Sequence, residues 1–192
     1  MDKQQEIYPK SKQIWLTSDQ HWYHANIINL TKRPFKGVEE MNYALIKNYN
    51  AMVKENDEVY FLGDVGWKDT KKVVGCLRQL VPSKKYLLIG NHDHKNIKDE
   101  EFRSFFEWVK DYHELTYNSR LYVMGHYPFY SWRSSGHGAV NCHGHCHSNI
   151  DKVNENYYRI DCGVDNPTCK FSPISIEKIE AIMKAKKVEP HW

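Results

Sequence analysis

Five times along this chain a short apolar run is followed at once by a polar loop. The runs are Ile14-Trp15-Leu16, Val59 to Leu62, Tyr86 to Ile89, Leu121 to Met124 and, more faintly, Ala139-Val140. The loops are Asp19-Gln20-His21, Gly63-Asp64, Gly90-Asn91-His92-Asp93, Gly125-His126 and Gly144-His145-Cys146-His147. Ligands of α/β proteins gather at the carboxyl ends of strands. Five such loops can therefore converge on one point. Aspartate, asparagine and histidine suit divalent transition metals better than calcium. The donors are numerous enough for two ions, and metals paired about 3.5–4 Å apart are a device for breaking phosphate esters.

The 192 residues have the length of one domain, spanning 1–192. Folding at that length buries roughly 70% of the unfolded chain's surface. A net charge of +3 is too small to point to nucleic acid or a membrane surface. The polar start, Met1 to Glu6, has no signal-peptide core, no stretch approaches a membrane span, and five cysteines argue against a disulfide framework. A cytoplasmic location is expected, with residues 1–12 as a short leader. Eleven histidines are many for this length, and four of them lie between His137 and His147.

Gln13 to Ser18 reads as the first strand. A helix begins near Asn26 and stops by Arg33-Pro34, because the residue before proline resists the α region. Val38 to Val53 has a helical pattern, with Met41, Leu45, Asn48 and Met52 on one face and Ala44 beside it. A strand from Val59, a helix over Thr70 to Leu80 and a strand over Lys85 to Ile89 follow. This order predicts parallel pairing through right-handed crossovers. In the second half, Tyr112 to Tyr117 and Arg120 to Met124 flank a hairpin turn at Asn118-Ser119. Ala139 to Cys142 and Tyr157 to Cys162 read as short strands, for which antiparallel pairing is expected. Ser175 caps a last helix, Ile176 to Lys187, with Ile176, Ile179, Ile182 and Met183 inward. The expected fold is an α/β sandwich of mixed β-sheets flanked by helices.

Asp19-x-His21 and His145-x-His147, read as extended segments, each place two side chains on one face. The cluster Cys142-His143-Gly144-His145-Cys146-His147 invites a zinc-finger reading, but no second cysteine pair has the spacing, since Cys162 and Cys169 are seven apart. The cysteines are expected to be small buried apolar residues.

The ordered set Asp-x-His, Gly-Asp, Gly-Asn-His-Asp, Gly-His, Gly-His-x-His resembles the calcineurin-like metallophosphoesterase superfamily. The surroundings are similar to its small bacterial and phage-type members, through His24, Asn26-Ile27-Ile28, Arg33-Pro34-Phe35, Gly163-Val164-Asp165 and Pro173 to Glu177. The resemblance implies a metallophosphoesterase fold and a phosphodiesterase or phosphatase acting on small substrates, nucleotides among them. It implies two divalent ions, with Mn²⁺ expected and Fe²⁺, Ni²⁺ or Zn²⁺ as alternatives. Asp19, His21 and His147 would hold the first, Asn91, His126 and His145 the second, and Asp64 would bridge them. A hydroxide between the ions would be the nucleophile. His92 would protonate the leaving group or stabilise phosphoryl charge, with Asp93 orienting it.

One departure stands out. Many relatives carry an acidic or amide residue three positions after the bridging aspartate, where this chain has Trp67.

His24, Arg33, Arg133 and His137 are candidate phosphate contacts. Trp22, Tyr127, Phe129, Tyr130 and Trp132 are candidate cleft walls or core. A nuclease of the same superfamily is the alternative within this chemistry, disfavoured by the small charge. From another class, a non-catalytic metal-binding interaction scaffold is the rival; one superfamily member of similar size has lost catalysis. The intact donor set and His92 speak against it. The expected partner is a small phosphoester, with no membrane and with nucleic acid not favoured.

Overall fold

The computed structural model describes residues 12–188; the leader expected over 1–12 falls, but for Lys12, outside them. Strands β1 (Ile14–Thr17), β2 (Glu58–Phe61) and β3 (Lys84–Leu88) pair in parallel, and β4 (Val109–Lys110) continues beside β3. Helices α1 (Ala25–Leu30), α2 (Val38–Met52), α3 (Thr70–Leu77) and α4 (Glu100–Ser104) fill the connections. The second sheet runs β5 (His113–Tyr117), β6 (Arg120–Met124), β7 (Val140–His143), β8 (Arg159–Asp161). Helix α5 (Asp151–Asn154) precedes β8. The chain ends in β9 (Ile174–Ser175), antiparallel to β1, and α6 (Ile176–Ala185).

Alternation along the central strands decides the layering. Trp15, Val59, Phe61 and Leu87 face one apolar core with residues of α2, α3 and α4. Their neighbours Leu16, Tyr60, Leu62 and Leu88 face a second core, shared with Tyr122, Met124, Cys142 and Ile160 of the other sheet and with Ile176, Ile179 and Met183 of α6. A strand buried on both faces reads as a continuous apolar run, as these do. The result is the expected α/β sandwich of two mixed sheets flanked by helices. Ser175 accepts from the Lys178 N–H and caps α6 as expected. Among the described residues no helix is long and apolar enough to cross a membrane.

Two expectations are corrected. Beyond the β5–β6 hairpin, the second sheet is not antiparallel: β6–β7 and β7–β8 pair in parallel. The segments between these strands are long enough to carry the chain back to the starting edge. This puts Gly125-His126 and Gly144-His145 at the same edge of the sheet. The buried face of α2 is also rotated. Asn42, Ile46 and Tyr49 are buried beside Met41 and Leu45, whereas Met52 is 42% exposed. The apolar positions fit two overlapping stripes, and contact with the sheet selects one.

Candidate metal centre

All five polar loops meet at the carboxyl edges of the two sheets. Backbone hydrogen bonds tie them together: Asp19 N–H donates to Gly63 O at 3.0 Å, His21 N–H to Asp64 O at 3.0 Å, and Gly144 N–H to His126 O at 2.9 Å. The loops approach closely enough to explain two of the motif glycines. A Cβ on Gly90 would lie 2.2 Å from Asp64 Oδ1, and one on Gly144 would lie 2.0 Å from Ser18 Oγ and 2.5 Å from Asp19 Oδ2. Gly90→Ala is therefore expected to displace the Asp64 carboxylate and weaken divalent-metal binding by at least roughly tenfold. Metal content after dialysis checks this; full retention would show that the loop yields instead.

The extended reading of the two His-containing segments is corrected. Asp19, His21, His145 and His147 have φ of 59°, 52°, 67° and 46°, and Asp64 has 56°. Left-handed backbone is uncommon for such residues and collects at functional sites. It curls each loop so that its side chains turn inward.

Asp19, His21 and His147 form one group of potential ligand atoms, Asp19, Asp64 and His126 a second, and His21, Asp64 and His92 a third, each within 4.8 Å. His21 Nε2 lies 3.8 Å from Asp19 Oδ1 and 3.6 Å from Asp64 Oδ2, while His147 Nε2 is 4.0 Å from Asp19 Oδ1. His126 Nε2 lies 3.5 Å from the same Asp64 Oδ2. Asn91 Oδ1 is 3.0 Å from both His126 Nε2 and His145 Nδ1. Donors about 2.1 Å from one ion stand roughly 3–3.6 Å apart; the spacings at Asp64 and Asn91 fall in that range, and those at Asp19, 3.8 and 4.0 Å, are slightly wider.

The chemistry of the donors fits as well. His21 Nε2 is buried without a hydrogen-bond partner, a costly state that a cation would relieve. Burial also lowers the His21 pKa, so its lone pair is free. The Nδ1 of His126 lies 2.7 Å from the Leu62 carbonyl, which fixes the N–H there and leaves Nε2 for the centre. Burial pushes the Asp19 carboxyl up to about 7, against the charges of His126 and His147 and with Asp161 and Asp64 adding. For Asp64 burial acts upward too, but His126, His21 and the His92 N–H outweigh it and hold the group at about 2. Two buried carboxylates side by side call for added positive charge.

His92 stands at the mouth, its side chain 30% exposed and its Nε2 3.8 Å from Asp64 Oδ2. The expected orienting role of Asp93 is corrected. The Asp93 carboxylate accepts the backbone N–H groups of Asp64, Val65 and Gly90 at 2.7, 3.0 and 2.9 Å and so clamps two loops together. Burial, with Asp64 nearby, pushes that carboxyl up to about 7 against these donors. The His92 ring instead packs edge-on against Trp67, with centroids 4.6 Å apart. Trp67 thus lies against the rings of both His92 and His24.

The candidate substrate contacts fare differently. Arg33 is buried, donates to the Asp19 and Gln20 carbonyls and pairs with Asp165, so it is unavailable to a phosphate. His24 is 8% exposed and stacked on Trp67 at 4.0 Å, and burial followed by the neighbouring His92 and Arg33 lowers it to about 4. A neutral ring under another ring offers a phosphate neither charge nor an open face. Arg133 is held by Glu114 on the surface. His137 sits by Ser119 and Arg120, at the opposite end of β6 from His126. Trp22 is core, 1% exposed. Tyr127 is 49% exposed, and its ring packs on those of His126 and His145 at 5.1 and 4.7 Å. Among the described residues no candidate ligand group contains a cysteine, and four of the five cysteines are buried.

Asp165 is the residue that sequence reasoning left without a role. Its carboxylate lies 2.6 Å from His147 Nδ1. The signal was present: Gly163-Val164-Asp165 follows a strand, a sixth instance of the same pattern.

Comparison with known proteins agrees with this geometry. The family model for calcineurin-like phosphoesterases matches residues 12–166. The uncharacterized protein MJ1445 of Methanocaldococcus jannaschii is 34% identical over 182 residues, covering 92% of this chain and 94% of its own. The Gene 66 protein of Mycobacterium phage L5 is 28% identical over 161 residues, covering 70% and 77%. A crystal structure of AQ665 from Aquifex aeolicus, a protein of unknown function, superposes with a TM-score of 0.71 at 25% identity, over 90% of this chain and all of that one. A match over most of its length, on a fold that carries the motif loops to one edge, places this chain in the calcineurin-like phosphoesterase family, as a hydrolase of phosphoester bonds from a family that works with divalent metal ions.

Proposed function

We propose that the protein hydrolyses small phosphoesters, nucleotide-sized diesters among them, with two divalent ions. Asp19, His21 and His147 would hold one, and Asn91, His126 and His145 the other, with the Asp64 carboxylate shared. Mn²⁺ is the ion we expect. The observation that supports this reading best is the place of Asp64, whose Oδ2 lies within reach of two imidazole nitrogens, 3.6 Å from His21 Nε2 and 3.5 Å from His126 Nε2. A shared carboxylate reduces the repulsion between two dications. When bound, paired ions supply Lewis acidity at the phosphoryl oxygens and lower the pKa of water toward ~7.

The protein's own groups then divide the rest of the chemistry. His92, at the mouth and braced by Trp67, donates a proton to the departing oxygen. Tyr127 borders the ligands with an exposed ring that a nucleobase-sized group can lie against. Asp93 holds the Asp64 and Gly90 loops in register.

Protein purified in Mn²⁺ is expected to carry close to two ions per chain. Chelation should abolish turnover of a panel of phosphate mono- and diesters, and added Mn²⁺ should restore it. A firm stoichiometry of one under saturating metal would remove the shared carboxylate from the account. Preference for DNA over small diesters would favour the nuclease reading. Two bound ions with no turnover of any ester would favour the scaffold.

A further inference from the structure

Arg33 directs all five of its guanidinium N–H groups to acceptors inside the protein. Nε and Nη2 donate to Asp165 Oδ1 and Oδ2 at 2.8 and 2.7 Å, a bidentate pair. Nη2 also reaches the Asp19 carbonyl at 2.7 Å, and Nη1 the Gln20 carbonyl at 2.9 Å and Met41 Sδ at 3.2 Å. Asp165 is equally engaged. Beyond Arg33, its Oδ1 accepts from Thr31 Oγ1 at 3.2 Å and its Oδ2 from His147 Nδ1 at 2.6 Å. The Arg33 side chain is fully buried and that of Asp165 is 6% exposed.

Burying such a pair costs desolvation, and packed apolar groups of the same volume often stabilise a fold as well or better. Stability is thus a poor reason for it. Its geometry offers another. The network joins the backbone of the Asp19–His21 loop to the ring of His147, two parts of the centre more than 120 residues apart in sequence. An acceptor at Nδ1 puts the His147 proton there and leaves the Nε2 lone pair facing Asp19. In the second half of the centre the corresponding acceptor is a neutral main-chain one, the Leu62 carbonyl 2.7 Å from His126 Nδ1, while His145 Nδ1 meets the Asn91 side chain.

We propose that Arg33 and Asp165 are positioning residues that fix the tautomer and aim of His147, and so set the affinity of the ion held by Asp19, His21 and His147 while leaving the other ion nearly untouched. The inference rests on the two-ion reading above. Asp165→Asn is close to isosteric but turns one acceptor into a donor.

Equilibrium dialysis against Mn²⁺, with metal analysis, should give two sites in the wild type. In Asp165→Asn one of them should weaken 10–100-fold, the usual span for a group behind a ligand, and the other less than threefold. Arg33→Lys should weaken the same site. In a His147→Gln background, adding Asp165→Asn should change affinity less than twofold. Equal weakening of both sites, or a full additional loss in that background, would mean that the pair supports the fold in general and would overturn the proposal. Fewer than two sites in the wild type would count against the two-ion reading itself, separately from any variant. The wild type alone supplies a second test. Long-range ¹H–¹⁵N NMR of the zinc-loaded protein should place the His147 proton on Nδ1. A bare Nδ1 would overturn the proposal whether or not the variants fold.

Discussion

Asp64→Asn should cost the protein both its metal content and its activity. The carboxylate is held near pKa 2 and is ionised at any working pH. It is the charge on which the two halves of the centre meet. Asparagine keeps an oxygen for the His92 N–H, which now donates to Oδ1 at 2.8 Å, so the loop retains its shape. What disappears is the negative charge that the two proposed cations would share. Metal content should fall from two ions to at most one per chain. Turnover should drop by at least roughly 10³-fold, because several kcal/mol of charge stabilisation is lost at ~1.4 kcal/mol per decade. Metal analysis beside kcat separates the two effects. A variant that kept two ions and its turnover would rule out a shared carboxylate.

His92→Gln should do the opposite on metal and nearly as much damage to rate. The ring has its Nε2 3.8 Å from Asp64 Oδ2, within reach of a site shared with His21 and Asp64, and its edge against Trp67; we assign it to proton donation rather than to a metal. Both ions should stay bound while kcat falls by roughly 10²–10⁴-fold, the span for a general acid. A proton donor helps most where the leaving group is poor. The loss should be larger for an alkyl leaving group, such as a ribose hydroxyl, than for nitrophenolate from bis-p-nitrophenyl phosphate. The comparison to make is kcat/KM on matched mono- and diesters in wild type and variant. Equal losses for phenolic and alkyl leaving groups would assign His92 to phosphoryl charge instead of proton transfer. Loss of metal would make it a ligand.

Several features of the fold were legible because they are local. A strand buried on both faces must be an apolar run, and Val59 to Leu62 and Tyr86 to Leu88 are such runs. Asn118 and Ser119 adopt positive φ of 47° and 63°, as a two-residue hairpin turn demands. Ser175 announces α6 through its own side chain. Helix α2 shows the limit: its length was readable, but the choice between Met52 and Ile46 as the buried residue depends on the layer laid over it.

The amino-acid sequence by itself determined which loops carry donors and that each follows a strand, because apolar run, glycine and polar residue are properties of neighbours in the chain. It also determined the chemical types available, seven potential ligands and a histidine beside them. Only the tertiary structure decided how those types are used. Parallel pairing of β6, β7 and β8 put the His126 and His145 loops at one edge. Curled backbone, rather than extended strand, turned Asp19, His21, His145 and His147 inward. Asp93 was directed to three N–H groups, Arg33 to Asp165 and two carbonyls, and Asp165 to His147. A charged side chain looks the same in sequence whether it meets substrate or braces a loop. Its role is set by a hydrogen-bond partner that can lie 132 positions away, as for Arg33 and Asp165, and such a partner exists only once the chain has closed on itself.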